Sequence, residues 1–103
     1  MSYNMEIKES SFFVPTEHTG RVFALTETTG YSFHLNENGD IVEIEYDGCK
    51  LGNDFEMFQK IAPFVRNGSY LEMLGEDGTL WRWIFKRGKC KEILPKISWP
   101  DDQ

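Results

Sequence analysis

The sequence predicts an α+β domain in which an antiparallel sheet of five to six strands packs against one or two helices. Three observations lead there. Glycine recurs in turn dipeptides, Asn38-Gly39, Asp47-Gly48, Asn67-Gly68, Asp77-Gly78 and Arg87-Gly88, between short stretches that alternate apolar and polar residues. One stretch departs from that alternation: Phe55, Phe58, Ile61, Ala62 and Val65 follow the 3-and-4 spacing of a helical stripe. The chain has 103 residues, 40% hydrophobic and 15% aromatic, which suits a single core in a single domain. Residues 1–94 are read as that domain and 95–103 as an irregular tail with Trp99 as a packing anchor.

The elements follow in order. Residues 5–14 read as a strand ending in Phe12-Phe13-Val14 and stopped by Pro15. Residues 16–28 read as a helix, with Thr16 as N-cap, Glu17 in its first turn and Gly30 beyond its end. The β-branched threonines and Gly20 there favour a strand instead, glycine costing about 1 kcal/mol against alanine inside a helix. Residues 31–47 form a hairpin around the turn 36–40. Its first strand sets Tyr31, Phe33 and Leu35 against Ser32 and His34. Its second sets Val42, Ile44 and Tyr46 against Glu43, Glu45 and Asp47. A helix over 54–66, capped by Asn53 or Asp54, meets Pro63, which kinks it or ends it after Ala62.

Residues 70–94 read as a three-stranded meander. Two-residue turns at Asp77-Gly78 and Arg87-Gly88 set Leu74 opposite Trp81, Glu72 opposite Trp83 and Tyr70 opposite Phe85. They then set Phe85 opposite Cys90 and Trp83 opposite Glu92. One face then carries Tyr70, Leu74, Trp81, Trp83, Phe85, Cys90 and Leu94. The other carries Leu71, Met73, Leu80, Arg82, Ile84, Lys91 and Ile93. Both are rich in apolar groups. Helix 55–65 covers one of them, and the other is either covered by the chain ends or left to a partner.

The charge balance is acidic, 17 Asp and Glu against 11 Lys and Arg, a formal net charge of −6. That predicts neither nucleic acid nor a membrane as ligand, and favours a basic protein surface. The residues 1–10 are polar and charged, no apolar run has membrane-spanning length, and Cys49 and Cys90 are far apart. The expectation is a cytoplasmic protein with two reduced thiols.

No catalytic, metal or cofactor set emerges. His18 and His34 are the only histidines; His34 shares a strand face with Glu43 and Glu45 and can pair with one of them, which would raise its pKa. The stretch 36–40 imitates part of a calcium loop, but a strand follows it where an EF-hand needs a helix. Gly75-Glu76-Asp77-Gly78 has the wrong charge to cradle a phosphate. The charge pattern with a direction is an acidic ridge, Glu37, Asp40, Glu43, Glu45 and Asp47. Its alternate strand residues stand about 6.6 Å apart, close to the repeat of a nucleic-acid backbone. The plainer account is that these carboxylates keep a sheet edge soluble.

Gly39 to Tyr46, Lys50-Leu51-Gly52, Gly68 to Met73, Gly75 to Gly78, Trp81-Arg82-Trp83 and Phe85 together resemble a group of small acidic bacterial proteins to which no activity is attached. The resemblance spans residues 31–90. It implies strand–helix–strand order in the second half and a helix before Gly30, and it transfers no site residue.

The functional expectation is a non-enzymatic interaction module, an inhibitor or immunity-type protein that binds a basic surface of another protein. Its contact residues are Glu37, Asp40, Glu43, Glu45 and Asp47, with Trp81, Trp83 and Arg82 on the sheet. The alternatives are a small-molecule binder or small enzyme with an aromatic pocket around Trp81 and Trp83, and a homodimer built on one sheet face.

Overall fold

A computed structural model describes residues 3–49 and 54–95. Trp99 and Asn53, read from the sequence as a packing anchor and a helix cap, lie outside the described residues. Strand β1 (Asn4–Ser11) is followed by helix α1 (Thr16–Thr26), a two-stranded sheet of β2 (Ser32–Leu35) and β3 (Ile41–Glu45), and the short strand β4 (Asp47–Cys49). Helix α2 (Asp54–Ile61) runs into a 3₁₀ turn (Ala62–Phe64), and the chain closes with β5 (Tyr70–Gly75), β6 (Leu80–Lys86) and β7 (Lys89–Ile93). The larger sheet is antiparallel throughout, in the order β4-β1-β5-β6-β7. The α+β class and the helix over 16–28 are as the sequence predicts.

The register of the β5–β6 hairpin is not. Leu74 pairs with Leu80, Met73 with Trp81, Leu71 with Trp83 and Tyr70 with Ile84, one residue away from the pairing that a two-residue turn at Asp77-Gly78 would give. The loop is one residue longer. Gly75 N–H donates to the Thr79 carbonyl at 2.8 Å and Gly78 N–H to the Gly75 carbonyl at 2.9 Å, with Gly78 left-handed at φ 88°. That is a type I turn closed by a left-handed glycine, not the mirror-image two-residue turn. Asp77 Oδ1 also accepts the N–H of Thr79 at 3.1 Å.

A one-residue shift moves every β5 side chain to the other face. The inner face therefore carries Leu71 and Met73 with Trp81, Trp83, Phe85 and Cys90, all buried. Tyr70, Glu72 and Leu74 turn outward. The predicted surplus of apolar surface on both faces is thereby corrected to one dry face and one mixed face. At Arg87-Gly88 the two-residue turn does form, with φ of 52° and 76°, and Phe85 faces Cys90 and Trp83 faces Glu92 as predicted.

Helix α2 lies on the dry face. Phe58 is fully buried and meets Trp83, Phe85 and Tyr31 at centroid distances of 5.1, 5.7 and 5.5 Å. Pro63 ends the α-helix at Ile61, within the predicted span. Phe55 belongs to the stripe by spacing yet stays 48% exposed.

Strand β1 carries a bulge: Ile7 pairs with Met73 but Glu9 with Glu72, which leaves Lys8 unmatched. The chain then crosses to the small sheet. Phe12 packs edge-on to Phe85 at 5.6 Å, and Val14 exchanges two backbone hydrogen bonds with Ile41, at 3.0 and 2.9 Å. Pro15 occupies the N-cap position of α1 and offers no side-chain cap. The free N–H of Thr16 instead donates to Asp40 Oδ1 at 2.7 Å. Thr16 is thus the first helical residue and not the cap, and the capping carboxylate comes from the β2–β3 turn.

The register has a direct consequence for stability. Met73→Ala removes a fully buried side chain and should cost about 2–5 kcal/mol in urea unfolding. Leu74→Ala, on the outer face, should cost about 1 kcal/mol or less. Equal losses, or the reverse order, would restore the two-residue turn.

Candidate functional site

The acidic ridge divides into two parts with different duties. Asp40 is committed to the fold: besides capping α1, its Oδ2 accepts from Asn36 Nδ2 at 3.0 Å. Asn36 Oδ1 in turn accepts the N–H groups of Asn38 and Asp40 at 2.9 and 3.0 Å, which ties the 36–40 turn internally. Glu37 stands exposed at its tip.

Glu43, Glu45 and Asp47 are exposed at alternate positions, with Ile44 buried and Tyr46 half-buried between them. Val42, expected inside with Ile44, is 42% exposed because the β2–β3 register shifts at this point, Leu35 pairing with Ile41 and His34 with Glu43. At Tyr46 the chain passes from the small sheet to the large one, and the Tyr46 carbonyl accepts the N–H of Ile7 at 3.0 Å. Asp47 then lies directly opposite Glu6 of β1.

Like charges directly opposed in a ladder are unfavourable. None of the described ion pairs involves Glu6, Glu43 or Asp47. Glu45 has a partner: its Oε2 lies 2.9 Å from His34 Nε2. His34 stands opposite Glu43 but bonds the diagonal carboxylate, which, with the charge it carries, raises the histidine pKa.

Trp81 and Trp83 do not reach the surface; each is 3% exposed. Their reading as partner contacts, or as an aromatic pocket, is corrected by this burial: both share the inner face of β6 with Phe85, and Phe58 of α2 lies 5.1 Å from the Trp83 ring. Arg82 does face outward. Its Nε donates to Glu72 Oε1 at 2.9 Å, and its guanidinium lies 4.9 Å from the centroid of the Tyr70 ring. Tyr70 Oη donates to Glu9 Oε1 at 2.8 Å, and Lys8 Nζ approaches Glu72 Oε2 at 3.8 Å. The cations of this network are matched by carboxylates.

The reactive groups are dispersed. His18 packs 5.2 Å from the Phe64 ring. Burial, aided by the Glu92 charge, pushes the Cys90 thiol up to about 12, and Cys49 is a half-buried free thiol. Tyr31 is buried and stacked 4.2 Å from Tyr46, and its hydroxyl donates to Asp54 Oδ1 at 3.3 Å. Burial and the Asp54 charge raise its pKa, so the phenol stays protonated and bonds the start of α2 to the start of β2. Among the described residues no three His, Cys, Asp or Glu side chains converge on a metal position.

A second charged surface escaped the sequence reading. Lys86, Arg87, Lys89 and Lys91 are all exposed on the β6–β7 hairpin. The signal was available: residues 78–91 contain five cations and no carboxylate, in a chain of net charge −6. Comparison with protein-family models, curated proteins and solved structures finds no match for the chain.

The His34–Glu45 pair makes a pH test. A folded-state pKa raised above the unfolded value of about 6.5 stabilises the fold below that pH, and the gain is lost as pH rises through the folded pKa. NMR titration should show a His34 midpoint above the ordinary histidine value, and Glu45→Gln should return it towards that value. The stability difference between wild type and Glu45→Gln should be larger at pH 6 than at pH 9. An unshifted midpoint would show that the contact does not persist in solution.

Proposed function

We propose that this protein is a non-enzymatic interaction module that binds a basic surface of another protein through Glu43, Glu45 and Asp47, with Glu6 beside them. The observation that carries this reading is the direct opposition of Glu6 and Asp47 across β1 and β4, with Glu43 on the adjoining β3 likewise in none of the ion pairs among the described residues. Such an arrangement costs stability in the free protein, and a cationic partner relieves it.

Solubility alone asks less of the sequence. A charged side chain on the edge strand, a lysine above all, already blunts it, and no second carboxylate opposite is required. The partner supported best is therefore one with a run of Lys or Arg. In the sharper form, Glu43 and Glu45, about 6.6 Å apart along β3, imitate a phosphate backbone with Asp47 following on β4, and the module acts as an inhibitor or immunity-type protein in a nucleic-acid-binding groove.

A tagged copy should capture a basic protein in stoichiometric amount at low salt and release it at about 1 M salt, where the Debye length falls to roughly 3 Å. Glu43→Lys combined with Glu45→Lys should abolish capture with the fold intact by circular dichroism, and at pH 9, where the His34–Glu45 pair no longer contributes, the thermal midpoint should match wild type. Capture unaffected by the double substitution would overturn the assignment to this edge. For the backbone-mimic form, the captured partner should lose its hold on nucleic acid as the module is added.

A further inference from the structure

We propose that the β6–β7 hairpin forms a separate binding site for a small organic polyanion carrying at least two phosphate groups on an apolar body. The site is a groove of about 840 Å³ whose lining includes Lys86, Arg87, Lys89 and Lys91 as cations and Ile84 and Ile93 as apolar floor. Its volume falls within the roughly 300–1,000 Å³ of small-molecule pockets.

Three features of the hairpin work against stability in the free chain and in favour of an anion. Lys86 and Lys89 are directly opposed across the strands, and like charges so placed repel. Arg87 holds a left-handed φ of 52° at the first position of a two-residue turn, where Asn or Gly fits with less strain. None of the four cations takes part in any of the described ion pairs, whereas Lys8 and Arg82 share Glu72. Backbone strain clusters at ligand sites, and here it coincides with four cations that none of the described ion pairs neutralises.

The groove is braced by α2, whose Gln59 also lines it. Gln59 of α2 donates through Nε2 to the Cys90 carbonyl at 2.6 Å and accepts the Cys90 N–H at Oε1 at 3.2 Å. Its amide thus occupies the backbone groups that edge strand β7 would otherwise offer at Cys90. An extended peptide is denied those bonds, so the side chains do the recognising.

Charge matching selects the ligand class. A phosphate monoester carries about −1.5 to −2 at neutral pH, so two such groups balance four cations. A nucleic-acid strand fits less well. Continuing across the outer face it would reach a central region where Glu72 already holds Arg82 and Lys8, and at the far edge it would meet Glu6 and Asp47. A compact anion gathers the hairpin cations and avoids those carboxylates. The proposal is independent of the acidic edge and stands or falls without it.

The test uses the full chain, with calorimetry and amide shifts read against ATP, tripolyphosphate and a short oligothymidylate. ATP should bind saturably, with shifts centred on residues 84–93. Tripolyphosphate, lacking the apolar body, should bind about tenfold more weakly. Arg87→Asn should weaken ATP by about tenfold, the loss of one charge-assisted hydrogen bond, while raising the thermal midpoint because turn strain is relieved. Lys86→Ala with Lys89→Ala should weaken ATP further and also leave the free protein at least as stable. No saturable binding of ATP or tripolyphosphate at millimolar concentration would overturn the proposal. So would ATP affinity unchanged in both variants, equal affinity for tripolyphosphate, or oligothymidylate binding more tightly than ATP.

Discussion

The loop Glu76–Gly78 is the constraint on which the rest of the structure depends. Because it has three residues and ends in a left-handed glycine, Leu71 and Met73 face the same side as Trp81, Trp83 and Phe85. Each of these side chains contributes about 1.5–3 kcal/mol when fully buried, so the choice of register decides whether α2 finds a continuous apolar floor. With two residues in the loop, Glu72 would stand beside Trp83 on that floor, and an uncompensated buried carboxylate costs several kcal/mol. The longer loop therefore wins although Asp77-Gly78 also suits a shorter one. It is held at its base by Tyr3, whose hydroxyl donates to Asp77 Oδ1 and lies where a side chain at Gly75 would stand.

From that floor the remaining elements take their places. Helix α2 sits on it through Phe58 and Ile61. The N-terminal strand joins its edge through β5, bulges at Lys8, and carries the chain on to Val14 and the small sheet. Helix α1 then starts against the β2–β3 turn, since Asp40 caps it and the Gly39 carbonyl accepts from Thr19 Oγ1 at 2.7 Å. A substitution at Asp40 would consequently affect a helix twenty-four positions earlier in sequence as well as its own turn.

Much of this was legible in the sequence, and what was missed has identifiable causes. Strands, helices and the hairpin at Arg87-Gly88 follow from periodicity and turn residues, both of which are local. The Asp77-Gly78 register was not legible from the dipeptide, because Asp-Gly serves both loop lengths. Burial settles it: the two-residue alternative leaves Glu72 among tryptophans, a conflict visible in the pairing itself. The cap of α1 was hidden because Asp40 reaches it through the tertiary fold. The acidic residues were easy to find and hard to apportion, since spacing does not distinguish Asp40, which is bonded to the backbone, from Glu43, which is not. The basic hairpin is a local feature that a net charge of −6 over the whole chain masks.

Net charge in fact describes neither end of this sheet. Its order places β4 at one edge and β7 at the other. Beside β4 lie Glu6, Glu45 and Asp47; on β7 and its hairpin lie Lys86, Arg87, Lys89 and Lys91. Three strands lie between the two edge strands, β5 alone lies between β1 with Glu6 and β6 with Lys86, and the central face is locally neutralised, with Arg82 and Lys8 both on Glu72. At physiological salt the Debye length is about 8 Å, so each edge presents its own sign to a ligand with little cancellation from the other. Both edges are also poor templates for strand addition: β4 has three residues and β7 has Gln59 across its Cys90 backbone groups. With backbone pairing restricted at both ends, side chains are what each edge offers. Charge is opposed within the free chain, Glu6 to Asp47 and Lys86 to Lys89, and under the two proposals a ligand of the opposite sign relieves that opposition.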